Sequence, residues 1–220
     1  MVQPDEIIRS KRKTLAISID AFGRLTVRAP MACSKERIFA FLQAKESWIV
    51  RKKAERSGAG INLPSENLNG YELSLLGKPC KIVLTDRNKV GYDGEENRIF
   101  LPEKNAKARL VRWLKENAER ILSNVTAQKA KEMGVCYTSV SIGSARGRWG
   151  SCSGKNEIRY SFRLLYASKE VIEYVVVHEL AHIRHKNHSK NFWQEVERYI
   201  PDWKVRRKWL KTHGALMEIL

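Results

Sequence analysis

Long apolar runs, paired cysteines and a signal sequence are all missing from this chain. No stretch approaches the ~18 uninterrupted apolar residues that a membrane-spanning helix requires. The amino terminus is polar and acidic and has no apolar signal core. The 4 cysteines are dispersed without a Cys-x-x-Cys pair, which argues against a disulfide scaffold and a cysteine zinc site. These absences predict a soluble, reduced, cytoplasmic protein without a membrane partner.

Acidic residues are also scarce, and the chain is strongly basic. The 24 Asp and Glu residues stand against 41 Lys and Arg residues, which gives a formal net charge of +17. Such a surface attracts anions, including phosphates, nucleic acids and acidic segments. Near the carboxyl end, basic residues alternate with Trp203 and Trp209, which either stack on bases of a nucleic acid or anchor a terminal helix on the core. The charge therefore makes nucleic acid one predicted partner; the oligomeric state is not predicted.

The order of the secondary-structure signals predicts the fold class. Apolar residues alternate with polar ones over residues 15–19 and 25–30, as in a hairpin of half-buried strands. A Ser-, Gly- and Asn-rich linker follows at residues 57–70. Pro102 is predicted in the first turn of a long helix that Gly134 ends. Because strands come first and helices last, the sequence predicts an α+β fold.

The segment that carries the chemistry is His178-Glu179-Leu180-Ala181-His182, an HExxH motif that follows an apolar helical run. On a helix, residues four apart share a face, so both imidazoles can bind one metal ion. Glu179 is rotated about 100° from His178 and can hold a water near that metal and take its proton. A histidine cluster on a solvated helix does not account for the apolar run. The motif therefore predicts a zinc hydrolase with Glu179 as catalytic base.

The third metal ligand has two candidates in the sequence. His185 stays on the same helical face, whereas His188 follows a predicted helix break at Lys186 and Asn187. His188 is favoured because a chain that turns back can approach the metal from another direction and leave a tetrahedral position open. No fourth protein ligand is apparent, which favours a catalytic site over a structural one. One zinc ion is predicted, although manganese, nickel and cobalt also suit such ligands.

Three separated motifs resemble the YgjP-like metal-dependent hydrolases, which are related to SprT-like and minimal gluzincin peptidases. They are Val177-His178-Glu179-Leu180-Ala181-His182 with His188-Ser189-Lys190-Asn191-Phe192-Trp193, the Arg-Trp-Gly-Ser-Cys-Ser run at residues 148–153, and the basic residues 9–13 before the hairpin. The resemblance spans nearly the whole chain. It implies His178, His182 and His188 as zinc ligands and Glu179 as the base.

The fold class and the family resemblance together predict that the chain is divided into two structural parts. Residues 1–57 form a β-hairpin plus helix, and residues 71–220 form a zincin-like hydrolase domain with a small sheet and the HExxH helix. The two parts are alternatively one compact unit. The loop at residues 148–153 is the predicted second wall of the active-site cleft.

The substrate is the least determined feature of the sequence. Arg148, Trp149, Ser151 and Arg163 are the candidate substrate-binding residues. A strand beside the cleft can pair with an extended peptide, and peptide-bond hydrolysis is the leading hypothesis. Alternatively, arginines hold phosphate oxygens, and the resemblance also implies nucleoside triphosphate pyrophosphatase activity, with which the YgjP branch is associated. A third hypothesis is a nucleic-acid-binding module, or a protease recruited through its basic helix.

Overall fold

The computed structural model describes residues 2–19, 23–57 and 68–220. The chain divides into two compact units, Met1–Asn62 with Thr212–Glu218 and Leu63–Lys211 with Ile219–Leu220. Most of the predicted linker, and residues 20–22 in the turn of the predicted hairpin, lie outside the described residues. Among the helices that are described, none is both long enough and apolar enough to cross a membrane.

The first unit contains a small sheet with helices. Its strand order is β1-β3-β2, in which β1 is parallel and β2 antiparallel to β3. Alternate residues of the central strand, including Leu25 and Val27, are buried in one cluster with Ile38 and Leu42 of the first helix. The predicted hairpin pairing is confirmed. The elements are β1 (Glu6–Ser10), β2 (Ala16–Ile19), β3 (Leu25–Pro30), α1 (Lys35–Ala44) and α2 (Glu46–Ser57).

The second unit holds two sheets and the longer helices, so the α+β fold is confirmed. The first sheet has the order β4-β5-β7-β6 and the second has the order β8-β10-β9. The strands are β4 (Glu72–Leu75), β5 (Lys78–Thr85), β6 (Gly91–Asp93), β7 (Arg98–Pro102), β8 (Ser139–Gly143), β9 (Gly150–Cys152) and β10 (Glu157–Ser161). The helices are α3 (Ala106–Met133), α4 (Lys169–Arg184), α5 (Lys190–Tyr199) and α6 (Trp203–Thr212), and a short 3₁₀ helix spans Phe162–Tyr166. A second short 3₁₀ helix, Gly214–Glu218, belongs to the first unit.

The start of the long helix α3 differs from its prediction. Pro102 ends β7 opposite Thr85, and the helix begins after Asn105, which has a left-handed backbone (φ 59°). Because Pro102 lies at the end of a paired strand, its fixed φ serves the strand end and not a helical first turn. The predicted end is confirmed, since Gly134 has φ 62° and its N–H contacts the carbonyls of Ala130 and Lys131.

The core of the second unit fixes the position of α4. On β10, Ile158 and Tyr160 are buried, and the Tyr160 hydroxyl lies 3.1 Å from the hydroxyl of Thr126 on α3. The apolar face of α4, with residues such as Val176 and Leu180, is fully buried. Helix α4 is therefore held by packing along its length, and its polar residues project from a rigid support.

Candidate active site

The end of α4 and the turn after it bring three histidines together. Helix α4 ends at Arg184, and His185 leaves the helical region with φ −125° and ψ 97°. The next helix, α5, begins after Ser189, whose hydroxyl accepts a hydrogen bond from the Phe192 N–H. This turn returns His188 to α4, so that one ligand atom from each of His178, His182 and His188 lies within 4.8 Å of the others.

The donor atoms suit a tetrahedral zinc ion. The Nε2 atoms of His178 and His188 lie 3.1 Å apart. Two nitrogens bound to one tetrahedral zinc at about 2.0–2.1 Å are about 3.3–3.4 Å apart, so small shifts satisfy the metal. His182 Nδ1 lies 3.0 Å from the carbonyl oxygen of His185, and donating a proton there leaves Nε2 for a metal. The three imidazoles, of which His182 has its tautomer set by this hydrogen bond, therefore suit a zinc ion.

Burial favours the neutral, metal-binding form of two histidines of the cluster, His178 and His182. Burial lowers the pKa of His178 to about 3, and the charges of His182 and His188 add to the shift. Burial also lowers the pKa of His182. Because a protonated imidazole cannot bind a metal ion, these shifts favour metal binding at neutral pH.

Glu179 is the buried carboxylate beside this cluster, with 5% of its surface exposed. Burial raises the pKa of Glu179 to about 8, and the positive charge of Arg148 opposes the shift. The side chain packs on β9, where a Cβ added to Gly150 would lie 2.7 Å from Glu179 Oε1. Glycine at this position therefore makes room for the carboxylate. A carboxyl group that titrates near neutral pH is suited to general acid–base chemistry.

An aromatic stack supports His188 from behind. The His188 ring is stacked on Trp193 with ring centroids 5.6 Å apart, and Trp193 is stacked on Trp203 with centroids 4.2 Å apart. The guanidinium of Arg207 lies 4.9 Å from the Trp193 ring centroid. No local pattern in the sequence predicts this stack. Because Trp203 is buried against Trp193, it anchors α6 within the second unit, the simpler of its two predicted roles.

Three of the four candidate substrate-binding residues lie in or next to β9. Ser151 is the central residue of that strand, and Arg148 is exposed just before it. Trp149 is half-buried, and its carbonyl oxygen accepts a hydrogen bond of 2.9 Å from the Ser161 N–H. The structure thus places Arg148, Trp149 and Ser151 in or next to β9, the strand that Glu179 contacts at Gly150.

Arg163 is placed elsewhere, in the interior, with 1% of its surface exposed. Its guanidinium donates hydrogen bonds to the carbonyl oxygens of Ile219 (2.9 Å), Leu220 (2.7 Å) and Ser144 (3.1 Å). Its donors hold the carboxyl-terminal residues in place. This position disagrees with the predicted substrate-binding role of Arg163, because a buried guanidinium with three carbonyl partners is not open to a substrate. The sequence around Arg163 does not distinguish a buried arginine from one in a cleft.

Comparison with known proteins agrees with this site. A family model described as "YgjP-like, metallopeptidase domain" matches residues 13–213. The metallopeptidase zymogen of Pyrococcus abyssi abylysin is 24% identical over 42% of this chain and 93% of its own, with a TM-score of 0.39. That of Methanocaldococcus jannaschii jannalysin is 19% identical over 43% of this chain and 96% of its own, with a TM-score of 0.38. No curated protein matches the chain in sequence.

The fold, the histidine cluster and the family match define a metallopeptidase-type hydrolase. Because the family model covers most of the chain, the protein belongs to the YgjP-like metallopeptidase family. The predicted resemblance is therefore confirmed.

The space that Gly150 leaves for Glu179 yields a prediction. In Gly150→Ala, the added methyl group would displace the end of the Glu179 side chain, which can move without unfolding the protein. We expect hydrolysis to fall about 10²-fold, since misplacement by 1 Å has that effect, while metal affinity changes little. Steady-state hydrolysis and metal titration of Gly150→Ala and the unmodified protein measure the change in activity and in metal affinity. Gly147→Ala is the control, because nothing lies within 4 Å of its added Cβ; equal activity in both variants would contradict the prediction.

A second prediction concerns the buried arginine. Arg163→Met leaves three carbonyl groups without their charged donor, and we expect the free energy of unfolding to fall by about 3 kcal/mol. Urea denaturation measures the change. The control is Arg98→Met, because Arg98 is exposed and pairs only with Glu96 at 3.0 Å in the described part of the chain. Unchanged stability with a raised KM would instead return Arg163 to a substrate-binding role.

Proposed function

We propose that this protein is a zinc-dependent peptidase in which Glu179 is the general base for peptide-bond hydrolysis. The observation that carries the proposal is a buried carboxylate, Glu179, that packs on Gly150 of strand β9 and directly follows the first of three histidines whose nitrogens converge. His178, His182 and His188 are the proposed ligands. With three protein ligands they would leave room for water on a bound metal, as catalytic zinc sites do.

The chain's own residues supply the proton transfers. A zinc ion at this site provides Lewis acidity and lowers the pKa of bound water towards neutrality. Glu179 takes a proton from the attacking water as its oxygen forms a bond with the carbonyl carbon of the substrate. The same carboxyl group then gives that proton to the leaving amine nitrogen as the C–N bond breaks. A group with a pKa of about 8 can do both near neutral pH.

Strand β9 is the proposed support for the substrate backbone. It pairs antiparallel with β10 and lies at the edge of its sheet, so its other side carries no strand within the described residues. An extended peptide can add to such an edge through backbone hydrogen bonds, which suits many sequences. Because Glu179 packs on Gly150 of this strand, a peptide bound there lies next to the base.

One observation favours a second candidate, a nucleotide pyrophosphatase that uses the same metal site. Arg148 and Arg159 line a polar cleft beside β9, and guanidinium groups bind phosphate oxygens in a bidentate manner. The hypothesis that the basic helix contacts nucleic acid stays a prediction, as does cytoplasmic location.

The proposal is tested by incubating zinc-loaded protein with an unstructured protein and, separately, with a panel of nucleoside triphosphates. We expect new peptide amino termini, detected by mass spectrometry, and no diphosphate release. Removing the metal with a chelator should stop cleavage, and adding zinc back should restore it. Diphosphate release without peptide cleavage would replace the peptidase with the pyrophosphatase.

A further inference from the structure

The outer face of the second sheet carries a polar cleft of about 490 Å³ next to the edge of β9. Hydroxyl and guanidinium groups dominate its lining, which includes Ser139, Ser141, Ser151, Ser153, Arg148 and Arg159. The strand register places Arg159 between Ser141 on β8 and Ser151 on β9. These groups all donate hydrogen bonds, so the cleft is built for negatively charged oxygens.

The two arginines of the cleft have no short-range partner in the described residues, although the positive charge of Arg148 also acts on Glu179. In the part of the chain that the structure describes, neither Arg148 nor Arg159 forms a hydrogen bond or an ion pair. The acidic residue of the cleft is Glu157, whose carboxylate accepts a hydrogen bond from Ser153 at 3.0 Å. Arg159 is also positioned by its stem, which passes 3.5 Å from the place of a Cβ on Gly143. The Arg159 stem therefore lies beside Gly143 of β8.

The cleft and the catalytic carboxylate lie on opposite faces of β9. Gly150 faces Glu179, whereas Ser151 lines the cleft, as the alternation of a strand requires. A peptide paired with the edge of β9 would alternate in the same way. Its side chain opposite Ser151 shares the face of Ser151, because paired residues of adjacent strands project to the same side. Alternate substrate side chains therefore border the arginines.

We infer that this cleft is a substrate subsite that selects an acidic side chain, Asp or Glu, at alternate positions of a bound peptide; the inference rests on the proposed peptidase function. The carboxylate is held by Arg159 and Arg148, with serine hydroxyls beside them. The same arrangement disfavours a lysine at that position through like-charge repulsion. The net charge of +17 attracts acidic peptides in the same sense.

The test uses fluorogenic octapeptides of Ala, Gly and Gln in which one position at a time carries Glu, Gln or Lys. At alternate positions, we expect kcat/KM for the Glu peptide to exceed that for the Gln peptide about tenfold, with the Lys peptide slowest. In Arg159→Gln the Glu-to-Gln ratio should fall close to one, and in Arg159→Glu the order should favour Lys. Arg98→Gln is the control, an exposed arginine on β7 that should keep the tenfold ratio.

Two results would overturn the inference while the peptidase stands: equal rates for Glu and Gln peptides, or a preference that survives in Arg159→Gln. A second measurement does not need turnover. Fluorescence anisotropy of labelled peptides with zinc-loaded Glu179→Gln protein should show the same tenfold preference as a difference in Kd. Binding preference without cleavage by the unmodified protein would keep the subsite and reject the peptidase, whereas equal Kd values would reject the subsite.

Discussion

Replacing Glu179 with Gln is expected to lower hydrolysis about 10³-fold while the metal stays bound. General acid–base catalysis contributes about 10²–10⁴-fold in enzymes, and an amide cannot take the proton of the attacking water. The shapes of the two side chains match, so the contact with Gly150 is retained. Steady-state hydrolysis and zinc content of the purified proteins measure the two effects separately.

The metal should be unaffected because Glu179 is not among the three histidines that we propose as ligands, whose nitrogens converge. The variant is also expected to be no less stable, since burial disfavours the charged carboxylate and glutamine carries no charge. Glu173→Gln is the matched control: it is the same change on the same helix, at a residue that pairs with Arg206 at 3.6 Å. Turnover that persists in Glu179→Gln would reject Glu179 as the base.

The sequence was sufficient for the histidine cluster because its signals are local. His178 and His182 belong to one helix, and the spacing of that helix alone places them on one face. The helix break and the cap at Ser189 also follow from adjacent residues, although α4 ends at Arg184, two residues before the break predicted at Lys186 and Asn187. For these residues, local propensity and the final structure agree.

Residues 148–153 are predicted as a loop that forms the second wall of the cleft, but the strand within them, β9, could not be predicted in the same way. Strand β9 has three residues and no apolar alternation, because one face meets Glu179 through Gly150 and the other exposes Ser151. Such a segment is indistinguishable from a turn-rich loop in sequence. The three carbonyl partners of Arg163 lie 19, 56 and 57 residues away, beyond any local pattern. The kinship with SprT-like peptidases also stays a prediction.

The stack behind His188 depends on tertiary structure as well. Trp193 and Trp203 belong to different helices, and only the packing of α5 and α6 places their rings 4.2 Å apart. This stack matters for the metal site because His188 lies in the connection between α4 and α5 and has no helix of its own to orient it. The ring of Trp193 supplies that orientation.

The His188→Ala change tests the ligand that the turn delivers. We expect zinc affinity to fall more than 100-fold, beyond the 10–100-fold effect of losing a partner of a ligand, because a donor atom itself is removed. Hydrolysis should fall with it at limiting zinc. Since each tenfold loss of affinity removes about 1.4 kcal/mol of metal-linked stability, zinc should raise the Tm of the variant much less than that of the unmodified protein. Chelator competition and thermal unfolding measure both quantities.

His185→Ala is the matched control and decides between the two ligands that the sequence offered. His185 is not among the three histidines whose ligand atoms converge, and its contribution to His182 is a backbone carbonyl that alanine retains. Its zinc affinity should therefore remain within a few-fold of the unmodified protein. If His185→Ala loses zinc and His188→Ala retains it, the chain after Arg184 continues as a helix when metal binds.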